Sequence, residues 1–258
     1  MAVLGITVVG QLLVRNYRYY EGFLHVCEEF TLFLAHVLIA TVIENKYNWT
    51  VCSYVSLSVQ FFTQSSFAFM VLEGLQVYMV TTRVISNGSV LSKRLTLAIG
   101  LGIPFAVTAT SGALMFNSFG SFYSCWTNFG NSSCWVTAVP IAVSVMIGVA
   151  LIDAAGNFSR NKHKGRPPLM SVYKMNSNYI NLAGLQLILP CSAVAWLIGS
   201  FAVYYQKWMV YATVSIIHIT LASFILSFHA MEVPQVRAVW DKLHGVVYKF
   251  TRNLMMKK

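Results

Sequence analysis

The residues able to do chemistry in this chain are few, and most sit where water is not. Glu73 lies in a long apolar run, inside the string MVLEGLQVYM at 70–79. His25, Glu28, Glu29 and His36 share a second apolar run, and His218 lies in a third. Glu28 and Glu29 follow His25 by three and four residues, so on a helix they share its face, and His36 continues the stripe. A carboxylate at mid-span costs roughly 2.5–3.5 kcal/mol on insertion scales. Such a group is expected to face protein and to have a partner. The cysteines are Cys27, Cys52, Cys125, Cys134 and Cys191, with no CxxC or Cys/His spacing of the zinc type. There is no nucleophile–base pair, phosphate loop or metal cluster. No catalytic residue, metal or cofactor is therefore expected, and the chain does not read as an enzyme.

The elements that hold these residues follow from composition. Of 258 residues, 57% are apolar or aromatic and 10% are charged, where a soluble domain has roughly 25% charged. Mean hydropathy is +0.62. These figures exclude a soluble globular enzyme, a disordered chain and a disulfide-rich secreted module. A membrane-spanning helix needs about 20 mostly apolar residues. One short and six full segments fit, at 1–14, 21–43, 53–82, 95–116, 134–156, 180–204 and 208–230. The first reaches only about 21 Å. It lacks a basic flank before it and a small-residue cleavage site after it, so it reads as the inner part of a truncated first helix rather than a signal peptide.

Net charge is +10. In a soluble protein that would suggest nucleic acid; here its distribution sets topology, and no nucleic-acid partner is expected. The gaps after the first, third and fifth spans, together with the tail, hold sixteen of the 18 Lys and Arg, while the opposite gaps hold only Lys46 and Lys207. The positive-inside rule then places the N-terminus outside and the tail in the cytoplasm. The sequons at Asn48 and Asn131 fall on the outer side, those at Asn87 and Asn157 on the inner side. After Pro234, the residues Val236, Val239, Trp240, Leu243, Val246, Val247, Phe250 and Leu254 recur at helical spacing among basic residues. This predicts an amphipathic helix on the inner membrane surface. The expected division is 1–232 for the membrane domain and 233–258 for that helix and a short basic tail.

Depth pairs two of the polar residues. Glu73 is ten residues above Arg83, about 15 Å from the inner end; His25 is seven past Arg18, about 10 Å from the same end. The two lie within about a helical turn in depth, so His25 is the expected partner of Glu73. In the sixth span Pro190 removes a helical hydrogen bond and invites a bend, with Trp196 above it. His218, at mid-depth in the seventh span, and Phe61, Phe62 and Phe67 either line a cavity or pack the core.

Several strings, in order, resemble one family. Cys52, QFF at 60–62 and the LEG-x-x-x-Y pattern within 70–79 resemble the third helix of secretin-like and adhesion G-protein-coupled receptors, most nearly the latrophilins. FLH at 23–25 resembles the family's second helix, and IGLGIPFAV at 99–107, SCW at 124–126, CWVTAVP at 134–140, LILPCSAVAWLIG at 187–199 and SFHAMEVPQVRAVW at 227–240 resemble later parts of the same fold. The seventh-span string at 218–222, His-Ile-Thr-Leu-Ala, departs from the family's N-S-L-Q-G.

The resemblance implies an all-α membrane fold, a seven-transmembrane helix bundle in the plasma membrane. It implies a disulfide between Cys52 and Cys125 in an oxidising compartment; two free thiols, or a bridge from Cys134, are the alternatives. It implies that His25 and Glu73 belong to an inner polar network that opens on activation, and that Pro190 and Trp196 form a switch. The function implied is transmission of an extracellular signal, from a free or tethered peptide agonist, to a heterotrimeric G protein. Membrane lipid would meet the basic inner face. The alternatives are a non-signalling membrane anchor or adhesion protein, which the altered string at 218–222 favours, and a proton-coupled transporter using His25, Glu28, Glu29, His36, Glu73 and His218. The odd span count and the lack of an internal repeat argue against the transporter.

The topology has a direct test. Glycans are expected on Asn48 and Asn131 and not on Asn87 or Asn157. A glycosidase-sensitive mass at Asn87 in peptide mapping overturns the orientation.

Overall fold

The computed structural model describes residues 20–42, 49–82, 89–119, 125, 132–162, 184–201 and 208–232. The first predicted span, the sequons Asn48, Asn87 and Asn131, and the tail at 233–258 lie outside them. Six long helices carry the described residues: α1 (Tyr20–Val42), α2 (Trp49–Thr81), α3 (Lys93–Met115), α4 (Ser132–Lys162), α5 (Gly184–Phe201) and α6 (Trp208–Glu232). They are the second to seventh predicted spans. No strand occurs among the described residues. Five of these helices, α1 to α5, are long and apolar enough to cross a membrane, and α6 carries a shorter apolar stretch at Ser215–Ile225. This is an all-α membrane bundle.

Helix is the only open-chain answer to an apolar environment, because every backbone N–H and C=O must be satisfied within the segment. The hydroxyls in these helices follow the same rule. Thr31, Ser58, Thr110, Ser111, Thr137, Ser200, Thr220, Ser223 and Ser227 each donate to the carbonyl four residues back. Ser92 starts α3 as an N-cap, its hydroxyl accepting from the Leu95 N–H at 3.3 Å. The longest overrun of the predicted limits is in α4, which extends to Lys162 rather than ending near 156. Hydropathy marks the apolar part of a helix; the backbone ladder continues past it into the polar boundary.

α2 is the axis of the bundle. Its apolar window is 61% buried, against 17% for α3 and 22% for α4. α1, α3 and α4 each pack on α2, whereas α3 and α4 scarcely meet. One core joins Leu32, Phe67, Met70, Val77, Ile141, Ile152, Leu185, Leu189, Trp196 and Leu221, drawn from α1, α2, α4, α5 and α6. A second, smaller cluster sets Leu24 of α1 against Phe69 and Leu72 of α2. Outward faces carry Ile103, Phe105, Leu114, Trp135 and Met146, each more than half exposed. In water such surface is a liability; in a bilayer it is the lipid face.

Two prolines sit inside the peripheral helices, Pro104 in α3 and Pro140 in α4. Proline lacks an N–H, so Pro140 leaves the carbonyl of Val136 without its helical donor. Gln64 of α2 supplies one: its Nε2 donates to the Val136 carbonyl at 3.2 Å.

Close approach of α3 to α2 depends on Gly100. A Cβ there would stand 2.3 Å from Cε1 of Phe69, whose ring is buried at 1% exposure. The ring cannot yield as the end of an aliphatic chain would. Gly100→Ala is expected to lower stability by about 1–3 kcal/mol through overpacking. Gly102→Ala, with no atom within 4 Å of its Cβ, is expected to be neutral or slightly stabilising. Thermal unfolding of the detergent-solubilised protein measures both, and Phe69→Leu should recover part of the Gly100→Ala loss. Equal behaviour of the two alanine variants would refute this packing.

Candidate functional site

One end of the bundle, expected to be the outer one, is tied covalently. Cys52, in the first turn of α2, is bonded to Cys125, with Cα atoms 4.7 Å apart and a sequence separation of 73. Cys27, Cys134 and Cys191 are free thiols, and Cys134 is fully buried. Polar contacts fix the chain on either side. Ser53 Oγ donates to the Phe119 carbonyl and Ser133 Oγ to the Ser118 carbonyl, both at 2.9 Å. Tyr54 meets Phe116 edge to face with centroids 5.1 Å apart.

The half of the bundle away from the disulfide holds a cluster of buried titratable groups. His25 of α1 and Glu73 of α2 meet, Nε2 donating to Oε1 at 2.9 Å, with side-chain exposures of 1% and 4%. Their helices cross at that level because Leu24 packs on Phe69 and Leu72. The Glu28 carboxyl interacts with Glu73, His25 and Glu29, and both Glu28 and Glu29 are buried. The buried Glu28 and Glu73 carboxyls thus both lie within interaction range of the His25 imidazole. Among the described residues no group of three or more His, Cys, Asp or Glu has the geometry to hold a metal ion.

Further polar contacts lie at the helix ends away from the disulfide. Tyr20 of α1 and Thr96 of α3 share a hydrogen bond of 2.7 Å between hydroxyls. Gln76 Oε1 of α2 accepts from the Val90 N–H at 2.9 Å. The ammonium of Lys93 stands 5.2 Å above the Phe23 ring, a cation–π contact at the edge of the bundle.

The remaining expected residues occupy different places. His218 of α6 meets His36 of α1 edge to face, with centroids 5.0 Å apart, while His36 Nδ1 donates to the Leu32 carbonyl at 2.7 Å. Trp196 is buried in the main core beside Leu189 and Ala195, and α5 remains helical through Pro190, which is half-buried. Phe67 is buried in that core. Phe61 packs on Phe62 and, edge on, on Phe105, which is 65% exposed. That places Phe61 on the α2–α3 flank, away from Trp196 and the bundle centre. The sequence reading passed over Gln64, Gln76 and Tyr20. The cost argument that marked Glu73 applies to any polar side chain inside an apolar span and would have marked both glutamines.

Residues 1–229 match the family described as "7 transmembrane receptor (Secretin family)". The chain belongs to this family. Among its relatives, the Adhesion G-protein coupled receptor D1 of Bos taurus is 26% identical over 234 residues, 88% of this chain and 24% of the relative. The Cadherin EGF LAG seven-pass G-type receptor 1 of Homo sapiens is 26% identical over 242 residues, 92% of this chain but 8% of the relative. The Adhesion G protein-coupled receptor L4 of Homo sapiens is 27% identical over 119 residues, 46% of this chain and 17% of the relative. This secretin-family chain is thus an adhesion-type receptor domain, and it spans about a quarter or less of the length of these relatives. Family and apolar helices together support a multi-pass protein of the plasma membrane.

The bridge closes a long loop, and by the loop-entropy relation it contributes on the order of 4 kcal/mol. Cys52→Ser and Cys125→Ser are each expected to lower surface expression strongly, with the double variant no worse than either single one. Flow cytometry of an epitope-tagged receptor domain measures this; a double variant clearly worse than both singles would show that the two cysteines act separately.

Proposed function

We propose that this chain is the signalling domain of an adhesion-type G-protein-coupled receptor, passing an extracellular signal to a heterotrimeric G protein. The observation that carries the reading is the buried His25–Glu73 pair, an ionisable contact between α1 and α2 in the inner half of the bundle. A buried pair of this kind is weak evidence for stability, because desolvation offsets much of its attraction. Its value lies in being a contact that can be broken as a unit.

In the proposed mechanism a peptide, tethered or free, enters from the outer side. α5 bends at Pro190 beneath the buried Trp196, the inner contacts around His25 and Glu73 open, and the G protein occupies the space. The proposed orientation is N-terminus out and C-terminus in. The basic-residue asymmetry supports it, and so does the disulfide at the start of α2, since such bonds persist on the oxidising side of the membrane. Residues 1–232 then form the receptor domain, and 233–258 an amphipathic helix and tail against anionic inner-leaflet lipid. A second reading, a membrane anchor that does not signal, rests on the string at 218–222, where His218 is engaged with His36.

Basal G-protein activation in cells expressing the chain, against an empty-vector control, separates the two. Glu73→Gln is expected to raise basal signalling, because a neutral amide holds His25 less firmly. The double variant with His25→Ala is expected to be non-additive in thermal stability by about 0.5–3 kcal/mol. Signalling at the vector level for both the parent chain and Glu73→Gln, with the stability coupling intact, would favour the anchor.

A further inference from the structure

Glu28 of α1 is sealed among protein atoms and lacks a donor. It is 1% exposed, both carboxyl oxygens are buried, and neither accepts a hydrogen bond from a donor among the described residues. The hydroxyl of Thr31, one turn along, donates instead to the backbone carbonyls of Cys27 and Glu28, both at 2.9 Å. His25 gives its Nε2 hydrogen to Glu73. Oxygens sealed in this way leave no space beside them for a water or a metal ion. A proton needs none.

The charges that act on Glu28 are, in falling order, Glu73 of α2, then His25 and Glu29 of its own helix. The neighbouring helices bring no further cation. Lys93 of α3 faces Phe23 and Cys27. Asp153 of α4 is exposed, and Gly184–Phe201 of α5 holds no Asp, Glu, Lys, Arg or His. His218 of α6 meets His36, eight residues and about 12 Å further along α1. One imidazole can balance one of the two carboxylates within its range, and it is bonded to Glu73. A second carboxylate with no donor and no counter-ion is among the most costly groups to bury, and such a group takes a proton instead. The Glu73 carboxyl stands close enough to Glu28 to share a hydrogen bond once one of the two is protonated.

We propose that Glu28 holds a proton and donates it to the Glu73 carboxyl, making this cluster a proton-binding site whose occupancy keeps α1 and α2 together. The proton comes from water and forms one O–H bond on Glu28. It cannot enter the sealed form and is exchanged when the helices part, because a hydrated glutamate is ionised at neutral pH. Parting therefore releases a proton and closing takes one up. The closed form is strongest in acid and is weakened as pH rises, by up to about tenfold per pH unit while one proton is exchanged. The effect on signalling rests on the receptor reading; the proton site does not.

The test uses the full chain in lipid nanodiscs with isotope-labelled glutamate, read by infrared spectroscopy at neutral pH. A labelled carbonyl band of a protonated carboxyl, shifted in heavy water, is expected in the parent and in Glu29→Gln and absent in Glu28→Gln. Glu28→Asp, whose side chain carries no label, also removes the band and carries the test if Glu28→Gln does not fold. No such band in the parent, or a band that survives at Glu28→Gln, would overturn the proposal. The thermal midpoint of the parent is expected to fall between about pH 6 and 8, and Glu28→Gln, an isostere of the protonated acid, to remove that part of the slope. Equal slopes would overturn the bracing role. In nucleotide exchange on a purified G protein, basal activity is expected to rise roughly two- to tenfold per pH unit in the parent and to stay flat in Glu28→Gln. The band and the slope with no exchange at any pH would refute the receptor reading and leave the proton site standing.

Discussion

Burial of a polar helix in a medium without water is the constraint on which this structure depends. α2 carries Ser53, Ser56, Gln60, Thr63, Gln64, Ser65, Ser66, Glu73 and Gln76 at buried positions. None of these groups can be left to hydrocarbon, so α2 has to lie at the centre, where other helices can meet them. α1 supplies His25 to Glu73, α3 supplies the Ser111 hydroxyl to Gln60, and α4 supplies the Val136 carbonyl to Gln64. The order of packing around the axis is to that extent a list of polar debts along one sequence.

The same constraint explains the division between the two ends. At the Cys52 end the ties are covalent and backbone-directed, through the disulfide and the two serine contacts to the segment at 118–119. Toward the opposite end they are ionic or between hydroxyls, through His25–Glu73 and Tyr20–Thr96. The former persist unless chemistry changes. The latter depend on geometry and charge, and two helices moving apart by an ångström or two would lose them. That asymmetry leaves one end of the bundle fixed and the other adjustable, which is what the proposed signalling role requires.

Much of the fold was legible in the sequence. Hydropathy placed all six described helices within a few residues, because span length is a property of one segment and of the bilayer alone. Depth arithmetic brought Glu73 and His25 to the same level, and the structure has them 2.9 Å apart. Depth says nothing about azimuth, however. Nothing in the spacing of residues 60–64 shows that Phe61 turns outward toward Phe105 while Gln64 turns toward α4. The His36–His218 contact likewise depends on how α6 is rotated against α1. The bridge partner of Cys52 came from family resemblance, since Cys134 offered the same chemistry.

The disulfide at Cys52 and the ionic contact at Glu73 stand on one unbroken helix, some 32 Å apart along its axis. A continuous α-helix packed against α1, α3 and α4 resists both bending and stretching, so it behaves as a push-rod. A load applied at Cys125 is delivered to the rod without slack, since the linkage is a bond and not a contact. At the far end the rod terminates its load on a pair of side chains rather than on a backbone. Under the proposed orientation, mechanical work at the Cys52 end would arrive at the other as a displacement of a carboxylate against an imidazole.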